Sequence, residues 1–289
     1  MTIPQGQLKN APLLLTLAMV RLAPLAPEVA IAAGQQLVQA LSGSFPVELP
    51  TLPQLAGAMP GQMLGQPFGL QPRNLMNATK DTVVSFRPDY LIVHTIAYTT
   101  FTPFLEVIRT VTQALIDIRG GIDVSALGLR YIDVINPTSG TSLADLLPSD
   151  MLPKEFDHPG ATARQITGIS TSQSVAHTEH GVEAVSVRCI VEPNQAVPPD
   201  LSELFSTYGL PNVLSVMNAG AQPGQVLWQS PKITADNGAL LDFDAVYSFL
   251  SPLNARDTKA VTERLQHLHG LTDHAFGAVP LPAAWEQWK

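Results

Sequence analysis

Two aspartates in "LLDFDAV", Asp242 and Asp244, are the pair best suited by spacing to general acid/base work, because strand alternation puts both carboxylates on one face. The same alternation serves a half-buried strand, with Leu241, Phe243 and Ala245 toward a core and both acids in solvent, and the pattern favours that arrangement. His177 and His180 flank "TE" at a turn with no third ligand close by in sequence, a weak pattern for a metal shell. On the C-terminal helix, His267 and His269 diverge, while His267 and His274 share a side but stand two turns apart, as on a solvated helix face. His94 in "LIVHT" reads as a histidine satisfied within a sheet. Cys189, the single cysteine, lies mid-strand in "VEAVSVRCIV" as a buried structural thiol, which excludes a disulfide framework within the chain. The G-x-S-x-G elbow, the phosphate loop and the G-x-G-x-x-G turn do not occur. The sequence therefore predicts no catalytic residue, no metal and no cofactor.

One further stretch places charge inside an apolar strand. In "LGLRYIDVI" (127–135), alternation sends Leu127, Leu129, Tyr131, Asp133 and Ile135 to one face and Gly128, Arg130, Ile132 and Val134 to the other. Arg130 and Asp133 cannot pair within the strand, so each needs a partner elsewhere. Arg130 is expected to anchor the sheet face against an acidic side chain from a neighbouring element.

The elements that must position these residues follow from periodicity. "LLLTLAMVRL" (13–22) reads as a buried strand, although Lys9 and the apolar run after it share features with a leader. The run is only about ten residues before Arg21, Pro24 and Pro27, half the ~20 a bilayer requires, so no membrane span is expected. "PEVAIAAGQQLVQALSG" (27–43) carries a helical stripe of Val29, Ala33, Leu37, Val38 and Leu41, with Pro27 in its first turn and Gly43 past its end. Residues 45–72 are Pro-, Gly- and Met-rich and nearly free of charge, as in a packed strap or a contact element. "TVVSFRPDYLIVHT" (82–95) predicts a hairpin turning at "RPD". Residues 102–121 predict a helix with Leu105, Ile108, Val111, Leu115 and Ile118 inward, capped by a threonine, with proline in its first position. Strands are expected near 164–175 and 182–192 with a turn at "EHG", then in "QVLWQSPKIT" and "GALLDFDAVYSF", before a last helix from Asp257 to about Ala275. Its stripe is Val261, Leu265, Leu268, Leu271 and Ala275. The fold class is α+β, with two halves of mostly antiparallel sheet, each packed against one or two helices. The halves would be 1–136 and 161–289, with 137–160 as a Pro- and acid-rich linker.

The order "APLLLTLAMVRL", "DYLIVHTIAYTTFTPFLEVI", "LGLRYIDVI", "LLDFDAV" and "LHGLTDHAFGAVPLPAAW" resembles a sporadically distributed, largely uncharacterised bacterial protein family. In that family an "LRYIN"-type strand follows a helix, and an "LH…AF" helix ends the chain. Asp133 stands here where the family has asparagine, and the resemblance implies no activity or cofactor.

Composition bounds the function. The chain has 289 residues, 45% of them hydrophobic, with 16 basic against 24 acidic side chains and a net charge of -8. That field repels nucleic acid and anionic lipid and suits a basic protein partner. The expectation is a non-enzymatic, cytoplasmic immunity protein that neutralises a toxic effector, for instance a nuclease of a type VI or contact-dependent secretion system. Its contact residues would lie in the acidic loops: Asp145, Asp150, Glu155, Asp157, Asp200 and Glu203. The alternatives are a small-ligand-binding protein or enzyme with a pocket between the halves, and a chaperone or adaptor using the 45–72 strap.

Overall fold

The computed structural model describes residues 12–49, 73–153, 168–191 and 238–289. Among these the chain runs β1 (Leu13–Leu22), α1 (Pro27–Leu41), β2 (Val47–Leu49), β3 (Arg73–Met76), β4 (Thr82–Arg87), β5 (Tyr90–Thr95), α2 (Phe101–Arg119), β6 (Ile122–Ile135), α3 (Leu143–Leu146), β7 (Gly168–His177), β8 (Gly181–Val191), β9 (Ala239–Ala255), α4 (Lys259–Ala278) and α5 (Pro282–Trp288). All nine strands join one antiparallel sheet in the order β2-β3-β4-β5-β1-β6-β9-β8-β7, an α+β fold.

The apolar run at the N-terminus is the central strand β1, hydrogen-bonded to β5 on one side and β6 on the other. No helix among the described residues is long and apolar enough to cross a membrane. The two expected halves share one sheet. β6, from the first half, pairs with β9, from the second, over thirteen residue pairs, and one hydrophobic cluster runs through both. Fourteen residues of β6 and seventeen of β9 form a shared spine, so separating the halves would strip the longest ladder in the sheet.

Helices cover one face of this sheet. On α1, Ala30, Ala33, Leu37 and Leu41 are buried; on α2, Phe104, Ile108, Val111 and Leu115; on α4, Val261, Leu265 and Leu268. They meet Leu127, Leu129, Phe243 and Tyr247 from the sheet. Opposite lies a second cluster built from strand residues, with Leu15, Leu17, Ile92, Ile132, Ile190 and Leu240 at its centre. Helix α2 starts at Phe101 with Thr100 at its cap, two residues earlier than the threonine-proline signal at Thr102 and Pro103 implies. It stops where Gly120 adopts a left-handed φ of 69°, which glycine reaches without a side-chain clash. Beyond the expected last helix, α5 folds Trp285 and Trp288 onto Phe276, with ring centroids 5.3 and 6.0 Å away. The strands expected at 225–234 and the strap from residue 50 to 72 lie outside the described residues.

The turn between β7 and β8 is fixed from below. The Thr178 and Tyr247 hydroxyls lie 3.1 Å apart, and Gly181 N–H donates to Thr178 Oγ1 at 3.0 Å. A Cβ on Gly181 would collide with the Ser248 carbonyl oxygen and come within 2.7 Å of Tyr247 Cζ. Gly181→Ala is therefore expected to destabilise the protein by about 2 kcal/mol through overpacking. Urea unfolding monitored by far-UV circular dichroism would show a lower midpoint, whereas an unchanged midpoint would mean that the close approach relaxes freely.

Candidate functional site

The sequence draws two polar assemblies into this core, one on each side of the sheet. On the face opposite the helices, Arg130 of β6 donates to Asp242 of β9 through Nε to Oδ1 at 2.6 Å and through Nη2 to Oδ2 at 2.7 Å. Arg188 of β8 reaches the same carboxylate, with Nη2 to Oδ2 at 2.5 Å. Register explains the meeting. Arg188 is directly opposite Asp242, while Arg130 faces Asp244 and reaches Asp242 diagonally across the ladder. Asp242 is fully buried and the Arg130 side chain is 7% exposed. The anticipated anchor for Arg130 is thus Asp242, and Arg188 joins it. The expectation that Asp242 points into solvent is overturned, because this sheet face is itself packed. Asp244, on the same face, is half-buried. Two guanidiniums holding one carboxylate make Asp242 the centre of a buried ionic brace.

On the helix face, Tyr131 of β6 stands beneath α4. Its hydroxyl lies 3.0 Å from His269 Nδ1 and is hydrogen-bonded with Tyr98. The His269 ring stacks on Phe101 at 4.1 Å, and Tyr98 meets Tyr131 edge-on at 5.6 Å. Burial raises the Tyr131 hydroxyl above the ordinary tyrosine range, so the phenol keeps its proton. Burial lowers His269 against the opposing pull of Asp273. His269 is therefore part of a packed aromatic roof, on a side away from His267, because Phe101 arrives at the N-terminus of α2. His267, two residues earlier, is half-exposed and makes a 2.6 Å contact with Glu183 of β8. His274 is exposed.

The remaining candidates sit in contrasting environments. Burial alone holds His94 down at about 4, so it stays neutral inside the sheet. Burial likewise pushes the Cys189 thiol up to about 12, far from the thiolate a nucleophile needs. His177 and His180 are exposed at the β7–β8 turn. Among the described residues no three histidine, cysteine, aspartate or glutamate side chains converge as a metal site. An open groove of about 690 Å³ lies between the far end of β9 and α4, bordered by Glu179, His180, Glu263, Arg264 and His267. Every residue lining it comes from the C-terminal part of the chain, so it is not a cleft between the halves.

Of the six acidic loop residues, the structure places two. Asp145 accepts from the Ser142 hydroxyl at 2.7 Å and from its backbone N–H at 2.8 Å, capping α3, and these bonds lower its carboxyl below the usual range. Asp150 is exposed beside β7, its backbone carbonyl accepting from the Ser170 hydroxyl at 3.3 Å. Glu155, Asp157, Asp200 and Glu203 lie outside the described residues. Sequence reasoning missed Arg188; its place opposite an aspartate depends on a register between strands 54 residues apart.

No protein-family model matches the chain, and no curated protein is similar to it.

Two outcomes test the electrostatics. Asp242→Asn leaves two guanidiniums without their shared counter-charge and is expected to cost about 3–5 kcal/mol, whereas the triple change Asp242→Leu, Arg130→Met, Arg188→Leu should recover most of that loss in urea unfolding. Burial, and after it the charge of Asp242, raises Asp133 from 3.8 up to about 8. The folded state then holds this proton more tightly than the unfolded chain, so the stability it contributes is fully present below pH 3.8 and is lost as pH rises through about 8. Asp133→Asn should therefore gain on the parent protein as pH climbs from about 5 to about 8, by about 3–4 kcal/mol, and level off above. A pH-independent difference would show that Asp133 ionises normally in the fold.

Proposed function

We propose that the protein is a non-enzymatic protein-binding protein, an immunity protein that neutralises a basic toxic effector such as a nuclease of a type VI or contact-dependent secretion system. The observation that supports this reading is the distribution of charge. Many of the described basic groups are drawn inward or matched by a neighbour, Arg130 and Arg188 on Asp242, Arg73 on Glu48, Arg109 on Glu106, Lys289 on Glu286, and Arg264 over the Tyr247 ring at 3.9 Å, while Lys80, Arg119 and Lys259 stand exposed. Asp150, Glu179 and Glu263 stand exposed, as does Asp145 at the α3 cap. With a net charge of -8, the outward field is acidic and steers a basic surface toward the protein. The two buried assemblies work as architecture, so neither competes as a reaction centre.

The test starts from the tagged protein in its native bacterium, where a basic partner should co-purify in a one-to-one complex. Reversing Asp145, Asp150, Glu155, Asp157, Asp200 and Glu203 to lysine should slow association with that partner by about tenfold or more at low salt, with the difference shrinking near 1 M salt as screening shortens the field. An association rate that ignores both salt and charge reversal would sink the electrostatic reading.

A further inference from the structure

We propose that β7 is a self-association strand, pairing antiparallel with the β7 of a second copy so that two nine-stranded sheets continue as one. This inference goes beyond the toxin-neutralising reading and does not rest on it.

The two edges of the sheet are built differently. At one edge β2 is three residues long, with Glu48 exposed in its middle and paired with Arg73 at 2.7 Å. Short, charged edges of this kind resist pairing with another chain. At the other edge β7 runs ten residues, "GISTSQSVAH", without a lysine, an acid or a proline. Its register against β8 is unbroken from Gly168 to His177, so no bulge twists the edge away. From Thr171 to His177 every residue is exposed, on both faces of the sheet. Ile169 and Val175 are 55% and 51% exposed, two of the most exposed large apolar side chains among the described residues. A long, neutral edge with no further strand paired to it among the described residues is a template for strand addition.

The sequence of β7 identifies the occupant. Around Ser172 it is chemically symmetric: Thr171 and Gln173, then Ser170 and Ser174, then Ile169 and Val175. An antiparallel pair with its two-fold axis at Ser172 sets Ile169 against Val175 of the second copy, Thr171 against Gln173, and a ladder of serines on the other face. Each copy meets the same contacts, as an isologous interface requires. Two copies of net charge -8 repel, and β7 itself adds no acid to that repulsion, while Asp150 stands exposed beside its Ser170 end.

The geometry gives a direct test in the full chain, whose single native thiol, Cys189, is buried. Facing residues of an antiparallel pair have Cα atoms about 4.5–5.5 Å apart, within the span of a disulfide. Ser172→Cys is expected to form a disulfide-linked dimer under mild oxidation at least about tenfold faster than Leu250→Cys, an exposed position on β9 away from the seam, because the paired strands raise the local thiol concentration. Ile169→Cys alone should stay near the Leu250→Cys rate, and the double variant Ile169→Cys, Val175→Cys should link quickly. In sedimentation from about 1 to about 100 µM the parent should move from 30.9 kDa toward twice that mass, and Val175→Lys should remain at 30.9 kDa with unchanged circular dichroism. Equal rates for Ser172→Cys and Leu250→Cys, or a parent monomeric at every concentration, would overturn the proposal. So would a monomeric chain whose β7 amides become protected from exchange only when a different protein is bound.

Discussion

The carboxylate of Asp242 is the one group that three strands of this sheet share. β6, β9 and β8 lie side by side, and each contributes one ionic side chain to a cluster sealed on the face away from the helices. Burying ions is costly, and two guanidiniums on one acid are tolerated only because the carboxylate accepts in bidentate fashion from one and directly across the ladder from the other. The arrangement is sensitive to register. A slip of one residue in β6 or β8 would turn the arginine to the opposite face and leave Asp242 buried without its counter-charge. Alignment of the longest strands is thereby tied to a specific pairing as well as to the generic burial of apolar side chains.

The helix face answers with aromatic groups. Tyr131, next to Arg130 in β6 but pointing the other way, rises into a roof made by Tyr98, Phe101 and His269. One strand thus carries a charge anchor downward and a phenol upward from adjacent residues. The hydroxyl-to-imidazole contact sets the height of α4 above the sheet, while Phe276, Trp285 and Trp288 clamp the other end of the same helix. Between these polar and aromatic fixtures, the core of Leu127, Leu129, Phe243 and Leu265 fills space without deciding orientation. That asymmetry puts the polar residues most suggestive of chemistry at the contacts that orient the strands and α4.

Much of this was legible in the sequence. The 3.6-residue stripes of α1, α2 and α4 and the two-residue turn of the β4–β5 hairpin depend on local periodicity alone, and they stand where the pattern puts them. So does the need of Arg130 for an acidic partner, since a buried guanidinium must be compensated. The identity of that partner was not legible. Alternation shows that Asp242 and Asp244 share a face, yet whether the face is wet depends on what else folds over it. His269 escaped for a related reason: helical spacing separates it from His267 but does not say what it meets, and the stacking with Phe101 depends on two helices far apart in sequence. The apparent boundary at 137–160 reflects composition, whereas the sheet is organised by the pairing of β6 with β9, which no local window contains.

That pairing also governs how the chain can reach its fold. The first strand made, β1, occupies the middle of the sheet, and neither of its neighbours exists until the ribosome has passed residue 90 for β5 and residue 122 for β6. The counter-ion for Arg130 arrives later still, at residue 242. At about 5–20 residues per second, a leucine-rich segment therefore waits several seconds for its first partner and the central arginine waits longer. The central strand has both neighbours by residue 135, and β9, which joins β6 to the β7–β8 hairpin, arrives last, so vectorial synthesis leaves a bare cation on β6 to be shielded until the last fifth of the chain emerges.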